Sequence, residues 1–263
     1  MAAMMLEARS GNCGFVSIVG AGPGPADLMT LRARDRLQRA EVVVHDRLVT
    51  PEVLALIPQT ALRVYVGKAL GDHSVPQDGI HALLVQHARL GRQVVRLKGG
   101  DPYMFGRGGE EVQALQAAAI AFEVVPGITA ASGCAAAAGI PLTHRDLAGS
   151  CVFLPGHLAD DDASYDWQAL ARPGQTRVFY MGVQRLAQIA HQLIAHGLAP
   201  DTPAAIVHDG TRASQTVIAT GLRNLVELAP GYGPRPGLLI IGETVGLSPA
   251  FNVLIPAQRS IEN

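Results

Sequence analysis

Short apolar runs rich in β-branched residues alternate along this chain with longer stretches of helical character. In the first half these runs lie at 15–19, 41–45, 62–66, 93–97 and 122–125. Regular alternation of strands and helices is typical of a mainly parallel sheet with helices packed on both faces. A helix is predicted to begin near Asp27, because the spacing of the following leucines indicates one apolar helical face. The residues of that face are Leu28, Leu31, Leu37 and Ala40.

A second set of strand-like runs follows a segment of small residues at 129–139. Its members lie at 150–154, 176–180, 203–207, 216–220 and 237–241. The stretch 139–146 is interpreted as the connection between two domains, since it carries glycine and proline and breaks the pattern. We therefore predict an α/β fold of two α/β domains with mainly parallel sheets, at 14–138 and 139–255. The active site is expected in the cleft between them.

The loop Leu97–Arg107, with the sequence LKGGDPYMFGR, directly follows the fourth apolar run. Gly99 and Gly100 allow backbone conformations that side chains forbid and let a ligand approach the main chain. Pro102 fixes part of the loop's shape. Open α/β sheets bind ligands in such loops at the carboxyl ends of their strands. The alternative is an ordinary strand-to-helix turn without function.

A second glycine loop, Gly20–Gly24, closes the first apolar run and departs from the dinucleotide-binding fingerprint. That motif uses glycine or alanine where this chain has Pro25, and Pro23 stands where backbone amides would face a pyrophosphate. Both prolines lack an N–H donor, which disfavours phosphate binding. A ligand without phosphate remains compatible with the loop.

Composition favours a compact enzyme over several other classes. The 263 residues are 48% hydrophobic, enough for a large core, and the net charge of −1 argues against a general nucleic-acid binder. No apolar run approaches the roughly 18 residues of a membrane span, so no membrane association is expected. The early residues lack a signal-peptide pattern, and three cysteines without paired spacing suggest reduced thiols. We expect a cytoplasmic protein.

Several long motifs occur in an order that is similar to a known family. They are VGAGPGPADLMTLRARDRLQRAEVVVHDRLV at 19–49, VGK at 66–68, RLKGGDPYMFGRGGEE at 96–111, VVPGITAASG at 124–133, GIPLTHRD at 139–146, PGH at 155–157 and VFYMG at 178–182. The chain resembles the uroporphyrinogen-III C-methyltransferases, members of the tetrapyrrole methylases that use S-adenosylmethionine. The resemblance runs from about Phe15 to about Leu247. It implies two α/β domains, a homodimer, a tetrapyrrole substrate, S-adenosylmethionine as methyl donor with S-adenosylhomocysteine as product, and no metal.

The resemblance also implies which residues bind the methyl donor. These residues are Pro23, Gly99, Gly100, Asp101, Met104, Thr129, Ala130, Met181 and Gly210. For Met104 and Met181 the alternative is core filling, since methionine commonly fills gaps in apolar cores. For Thr129 a helix cap is the alternative, and it is compatible with binding.

The same resemblance assigns roles toward the acceptor, a pyrrole carbon whose ring becomes cationic when that carbon is methylated and must then lose a proton. Asp46 matches the proposed proton acceptor and Lys68 the proposed proton donor. The alternatives are a surface acid paired with Arg47 and a solvated lysine. Arg47, Arg107 and Arg145 lie in matched motifs and are predicted to bind the substrate's carboxylates, because the guanidinium fork suits them. Arg107 is also a candidate catalytic residue; alternatively, it pairs only with Glu110 or Glu111.

Two other classes stay open at this point. A nicotinamide-dependent oxidoreductase would use Gly20–Gly24 as its fingerprint and Asp46 as the ribose acid, at the expected spacing of about 20 residues. A non-catalytic binding protein of the same fold is the second. The sequence also leaves open whether the dimethylated product serves sirohaem, cobalamin or haem d1 synthesis.

Overall fold

The computed structural model describes residues 14–67, 75–156, 165–229 and 235–251. Within these ranges the chain divides into two compact units, and the division falls between Thr129 and Ala130. In the described part of the chain, ten strands form at the ten apolar runs predicted above. The α/β fold class is confirmed.

The first unit is built on a five-stranded parallel sheet. Its strands are β1 (Phe15–Gly20), β2 (Val42–His45), β3 (Leu62–Tyr65), β4 (Gln93–Lys98) and β5 (Ala121–Val125). They lie in the order β3-β2-β4-β1-β5, and every pairing is parallel. Its helices are α1 (Leu31–Gln38), α2 (Pro51–Leu54), α3 (Gln77–Arg89) and α4 (Gly108–Ala117). The predicted parallel sheet is confirmed for this unit.

Two apolar layers cover the faces of this sheet. Leu37 of α1 packs in one layer with Val43 and Leu97, and Leu115 of α4 packs in the other with Ile18. The connections that leave β1 and β4 therefore run over opposite faces, although β1 and β4 are neighbours. Such a switch point leaves a crevice at the carboxyl ends of the two strands, where α/β proteins bind ligands.

Helix α1 begins later than the sequence predicted. Residues Ala26–Leu28 form a separate 3₁₀ turn, and the hydroxyl of Thr30 accepts a hydrogen bond from the Ala33 N–H at 3.2 Å as the cap of α1. Leu31, which the prediction placed on the apolar face, is 87% exposed. The capping threonine determines the start, because it satisfies a backbone donor at the helix end.

The second unit is built on a mixed sheet. Its strands are β6 (Ser150–Pro155), β7 (Gln175–Tyr180), β8 (Pro203–His208), β9 (Thr216–Gly221) and β10 (Gly237–Ile241). In the order β6-β7-β10-β8-β9, only β6 and β7 pair in parallel; β10 is antiparallel to β7 and β8, and β9 is antiparallel to β8. The prediction of a mainly parallel sheet is wrong for this unit. The connection 209–215 is too short for the crossover that parallel neighbours need.

The helices of the second unit include one that the sequence analysis assigned to the first domain. They are α5 (Ala130–Ala137), α6 (Trp167–Leu170), α7 (Leu186–Ala195) and α8 (Leu222–Leu228). Small side chains of α5, including Ala131 and Ala135, pack with Val178 and Ala205 of the second sheet. The division therefore lies one helix earlier than the predicted boundary between 138 and 139.

Candidate active site

Three glycine-containing loops meet at the carboxyl edge of the first sheet. A Cβ on Gly20 would lie 2.6 Å from the Gly100 carbonyl oxygen, and one on Gly127 would lie 2.2 Å from the same atom. Gly22 and Gly100 exchange two backbone hydrogen bonds, of 3.2 and 2.7 Å. Only glycine allows this approach, so the loops after β1, β4 and β5 are joined backbone to backbone.

The carboxylate of Asp101 stabilises this junction. One oxygen accepts the Tyr103 N–H at 2.9 Å, and the other accepts the Gly127 N–H at 3.1 Å. Asp101, which the sequence assigned to donor binding, thus holds the loop after β5 against the loop after β4. Its assignment to the donor stays a prediction.

The loop Gly99–Arg107 carries backbone strain. Phe105 and Arg107 have φ values of 52° and 60°, a region that side chains other than glycine rarely occupy. Strain of this kind concentrates at functional sites. The predicted donor residues Pro23, Gly99, Gly100 and Met104 lie on this loop or on its neighbour after β1, and all are partly buried.

The loop after β1 offers few amides to a phosphate. The Ala21 N–H donates to the Lys98 carbonyl at 2.7 Å, and the Gly22 N–H is used by Gly100. Pro23 and Pro25 have no N–H to offer. The pyrophosphate cradle of a dinucleotide-binding protein needs those donors, so the geometry disfavours the oxidoreductase alternative.

Asp46 follows β2 at the same edge, and its side chain is 25% exposed. One carboxylate oxygen accepts the Leu48 N–H at 3.1 Å, and the other accepts from the Arg96 guanidinium at 3.3 Å. The alternative for Asp46 was a pair with Arg47; the ion pair that the structure shows is with Arg96. A Cβ on Gly99 would lie 2.7 Å from the Leu48 Cβ, so the Asp46 turn and the loop after β4 are in contact.

Of the other acceptor-side residues, Arg47 is exposed and Lys68 lies outside the described residues. Gly67, which precedes Lys68, approaches the Asp46 turn: a Cβ there would lie 2.8 Å from the Arg47 backbone nitrogen. The chain leading to Lys68 therefore leaves β3 beside Arg47.

A buried ion cluster, which was not predicted from the sequence, lies behind Asp46. Glu111 of α4, whose side chain is 0% exposed, accepts from Arg96 at 2.9 Å and from Lys98 at 3.0 Å. Burial, with the nearby Arg96 charge, lowers the pKa of Lys98. Arg96 and Lys98 are two positions apart on β4, so their side chains lie on the same face of the sheet, the one that α4 covers.

Arg107 forms the ion pair that the sequence analysis gave as its alternative. Its Nε and one terminal nitrogen donate to the two oxygens of Glu110 at 2.8 and 2.7 Å, and this bidentate pairing lowers the pKa of Glu110. The Arg107 side chain is 57% exposed, so the pair leaves the guanidinium accessible to a ligand. The Arg107–Glu110 pair is therefore present in the structure, and the role of Arg107 toward the substrate stays a prediction.

In the second unit, the assigned donor residues gather around α5. Ala130 begins this helix, directly after Thr129, and the Ala131 N–H donates to the Tyr180 hydroxyl at 3.0 Å. Met181 follows Tyr180, and a Cβ on Gly210 would lie 2.3 Å from the Cys134 sulfur of α5. The structure therefore brings Ala130, Met181 and Gly210 to one helix.

Met181 is not a core residue. Its side chain is 58% exposed and its φ is 57°, a strained conformation for methionine. The core-filling alternative is therefore excluded for Met181, while Met104 is half-buried. Arg145 is exposed in the turn that the His144–Ala148 bridge closes before β6, and its role stays a prediction.

Comparison with known proteins decides the family. The sequence model of the tetrapyrrole (corrin/porphyrin) methylases matches residues 16–226. The chain belongs to this family. Within the searched residues, no helix of this tetrapyrrole methylase is long and apolar enough to cross a membrane, and no group of metal-binding side chains occurs.

Individual relatives agree with this assignment. The siroheme synthase of Edwardsiella ictaluri is 52% identical over 91% of this chain and 51% of its own length. That of Methylococcus capsulatus is 55% identical over 89% and 50%. The chain thus spans about half the length of these curated relatives. A crystal structure of uroporphyrin-III C-methyltransferase from Thermus thermophilus, complexed with S-adenyl homocysteine, is 41% identical with a TM-score of 0.76, covering 89% of this chain and 100% of that one.

Proposed function

We propose that this tetrapyrrole methylase transfers methyl groups from S-adenosylmethionine to carbons 2 and 7 of uroporphyrinogen III, giving precorrin-2. The observation that carries the proposal is the likeness, over the whole length of that chain, to the Thermus thermophilus uroporphyrin-III C-methyltransferase. The partly exposed carboxylate of Asp46, in a turn that contacts the glycine loop after β4, supports it. Since the siroheme synthases are about twice as long, the proposal concerns methylation alone.

The methyl donor is a sulfonium cation without phosphate, and the residues present fit it. The loop after β1 lacks a phosphate cradle, and the joined glycine backbones provide a close-packed polar surface. In the first unit we assign donor binding to Pro23, Gly99, Gly100, Asp101, Met104 and Thr129. In the second we assign it to Ala130, Met181 and Gly210. When bound, the donor supplies an electrophilic methyl group on sulfur.

Methylation of a pyrrole carbon leaves a positive charge on the ring, which is neutralised when a proton leaves. We assign proton acceptance to Asp46, because its carboxylate is partly exposed while its orientation is fixed by Leu48 and Arg96. Lys68 is assigned as the proton donor. Gly67, at the start of its segment, lies beside the Asp46 turn, which supports that assignment.

Uroporphyrinogen carries acetate and propionate groups around its rim, and exposed arginines suit them. We assign Arg47, Arg107 and Arg145 to these carboxylates; all three side chains are exposed. Arg107 is also assigned a role close to the reacting ring, because it lies on the strained loop after β4.

We further propose a cytoplasmic homodimer whose product enters sirohaem, cobalamin or haem d1 synthesis. The free thiols of Cys134 and Cys151 support a reducing compartment. Light scattering coupled to gel filtration tests the dimer: a mass of one chain would exclude it.

The activity is tested with anaerobic uroporphyrinogen III and S-adenosylmethionine, followed by mass spectrometry of the tetrapyrrole. We expect a product that has gained two methyl groups, through a singly methylated intermediate. Calorimetry supplies the matched binding test: S-adenosylhomocysteine should bind more tightly than S-adenosylmethionine, and NAD should not bind. Tight NAD binding without a response to S-adenosylhomocysteine, or no methylated product, would overturn the proposal.

A further inference from the structure

Arg96 is a buried cation in the middle of a parallel sheet. It lies on β4, paired with Val44 of β2 on one side and with Ile18 of β1 on the other. Its side chain is 4% exposed, whereas that of Asp46 is 25% exposed. A charged side chain at such a position loses its hydration and must be compensated by hydrogen bonds.

The hydrogen bonds of Arg96 fix its guanidinium in one orientation. Nε donates to Glu111, and one terminal nitrogen donates to the carbonyls of Val44 and Leu97, each at 3.3 Å. The other terminal nitrogen donates to Asp46. The planar group thus connects the carboxylate of Asp46 to the backbone of β2, two residues before it, and to α4.

Charges of this cluster compensate one another. Arg96 and Lys98 share the Glu111 oxygen Oε1, and Asp46 supplies the second negative charge. Such buried clusters rarely stabilise a protein more than apolar side chains of the same volume would. The contribution of this cluster is better explained by geometry: its buried side chains hold the partly exposed carboxylate of Asp46 in one orientation.

We propose that Arg96, anchored by Glu111, is a positioning residue that orients the Asp46 carboxylate for proton acceptance. The proposal rests on the function proposed above for Asp46. Arg96 itself is too buried to bind the tetrapyrrole, so it acts through Asp46 alone. Lysine cannot replace it, because an ammonium group lacks the planar fork that reaches all four acceptors.

A double-mutant cycle tests this role. We expect Arg96→Lys to lower the rate of methyl transfer about ten- to a hundredfold, as small displacements of a catalytic group do. Asp46→Asn should lower it by a similar factor. In the Asp46→Asn background, Arg96→Lys should cause less than about a threefold further loss, because residues that act as one unit are not additive. Affinity for S-adenosylhomocysteine should stay near that of the unchanged protein.

Arg36→Lys is the matched control. Arg36 also pairs with a carboxylate of the first unit, but that carboxylate is Glu123 of β5, an edge strand that β4 and β1 separate from β2. The Arg36→Lys variant should leave the rate of methyl transfer unchanged even if its melting temperature falls. Glu111→Gln is the second variant if Arg96→Lys does not fold: it keeps the size of the anchor and should show the same lack of additivity with Asp46→Asn.

The outcomes separate this proposal from the one on which it rests. Unchanged turnover of Asp46→Asn would remove Asp46 from the mechanism and the positioning role with it. If Asp46→Asn is slow but the two losses multiply in the double variant, Asp46 keeps its role and the positioning role of Arg96 is overturned. An Arg96→Lys protein that is folded and fully active would also overturn it.

Discussion

The carboxyl edge of the first sheet and the surroundings of α5 in the second unit are built differently. The first is polar: glycine backbones are in contact and Asp101 joins two loops. Four charged side chains also form one cluster there, namely Asp46, Arg96, Lys98 and Glu111. Around α5 the packing is made by small residues, and Met181 projects from a strained turn. A charged edge with a fixed set of hydrogen bonds suits proton transfer, whereas small apolar residues beside an exposed methionine suit binding. We therefore assign chemistry to the first unit and only binding to these residues of the second.

The glycine junction gives the largest expected effect. Gly127→Ala places a Cβ against the Gly100 carbonyl, a backbone atom that cannot move aside without opening the loops. We expect a loss of about 3 kcal/mol or more in the free energy of unfolding, measured by urea denaturation. Gly109→Ala is the control, since nothing lies within 4 Å of that Cβ, and it should be neutral or stabilising. Equal stability of both variants would mean that the three loops are not packed as described.

Arg107 tests whether the exposed part of the charged edge binds substrate. Lysine keeps the charge but loses the fork, so Arg107→Lys should reduce kcat/KM at least about tenfold, the equivalent of one charge-assisted hydrogen bond. Because the Arg107–Glu110 pair is exposed, its loss should cost at most a few tenths of a kcal/mol in stability. Initial rates and melting temperatures measured together decide the matter. Full activity with a lowered melting temperature would leave Arg107 as a structural residue.

Met181 provides the corresponding test in the second unit. Since its side chain is exposed, Met181→Ala should change the melting temperature little. Its affinity for S-adenosylhomocysteine should fall about two- to tenfold, the range expected for losing one thioether contact. Met104→Ala serves as the comparison, being half-buried on a loop of the first unit. A Met181→Ala protein with unchanged affinity would break the assignment of binding to this region.

The positions of the strands followed from the sequence, because apolar β-branched runs separated by turn residues have few other solutions. The directions of the strands in the second unit were not predicted correctly, although the short connection 209–215 was a signal for an antiparallel pair. The small residues of α5 do not indicate from the sequence which sheet the helix packs against, so the division at Ala130 followed only from the packing in the second unit.

The site was predicted less completely. The sequence singled out Asp46 and the glycine loops as candidates, but it did not single out Arg96 and Lys98, because charges inside an apolar run resemble a solvated face. Glu111 was considered only as a partner of Arg107. In the structure Arg107 pairs with Glu110, and Glu111 is buried against β4, where it pairs with Arg96. The alternation of Arg96 and Lys98 along a central strand, followed by an acid on the next helix, was the available signal.

Asp46 is proposed to act in proton transfer and not in binding of the methyl donor. Single-turnover methyl transfer to uroporphyrinogen III by Asp46→Asn, with calorimetry of S-adenosylhomocysteine on the same preparation, tests it most directly. We expect methyl transfer slowed at least about tenfold, with donor affinity within about twofold of the unchanged protein. Methyl transfer at the original rate, or a loss of donor affinity that accounts for the whole decrease, would contradict it.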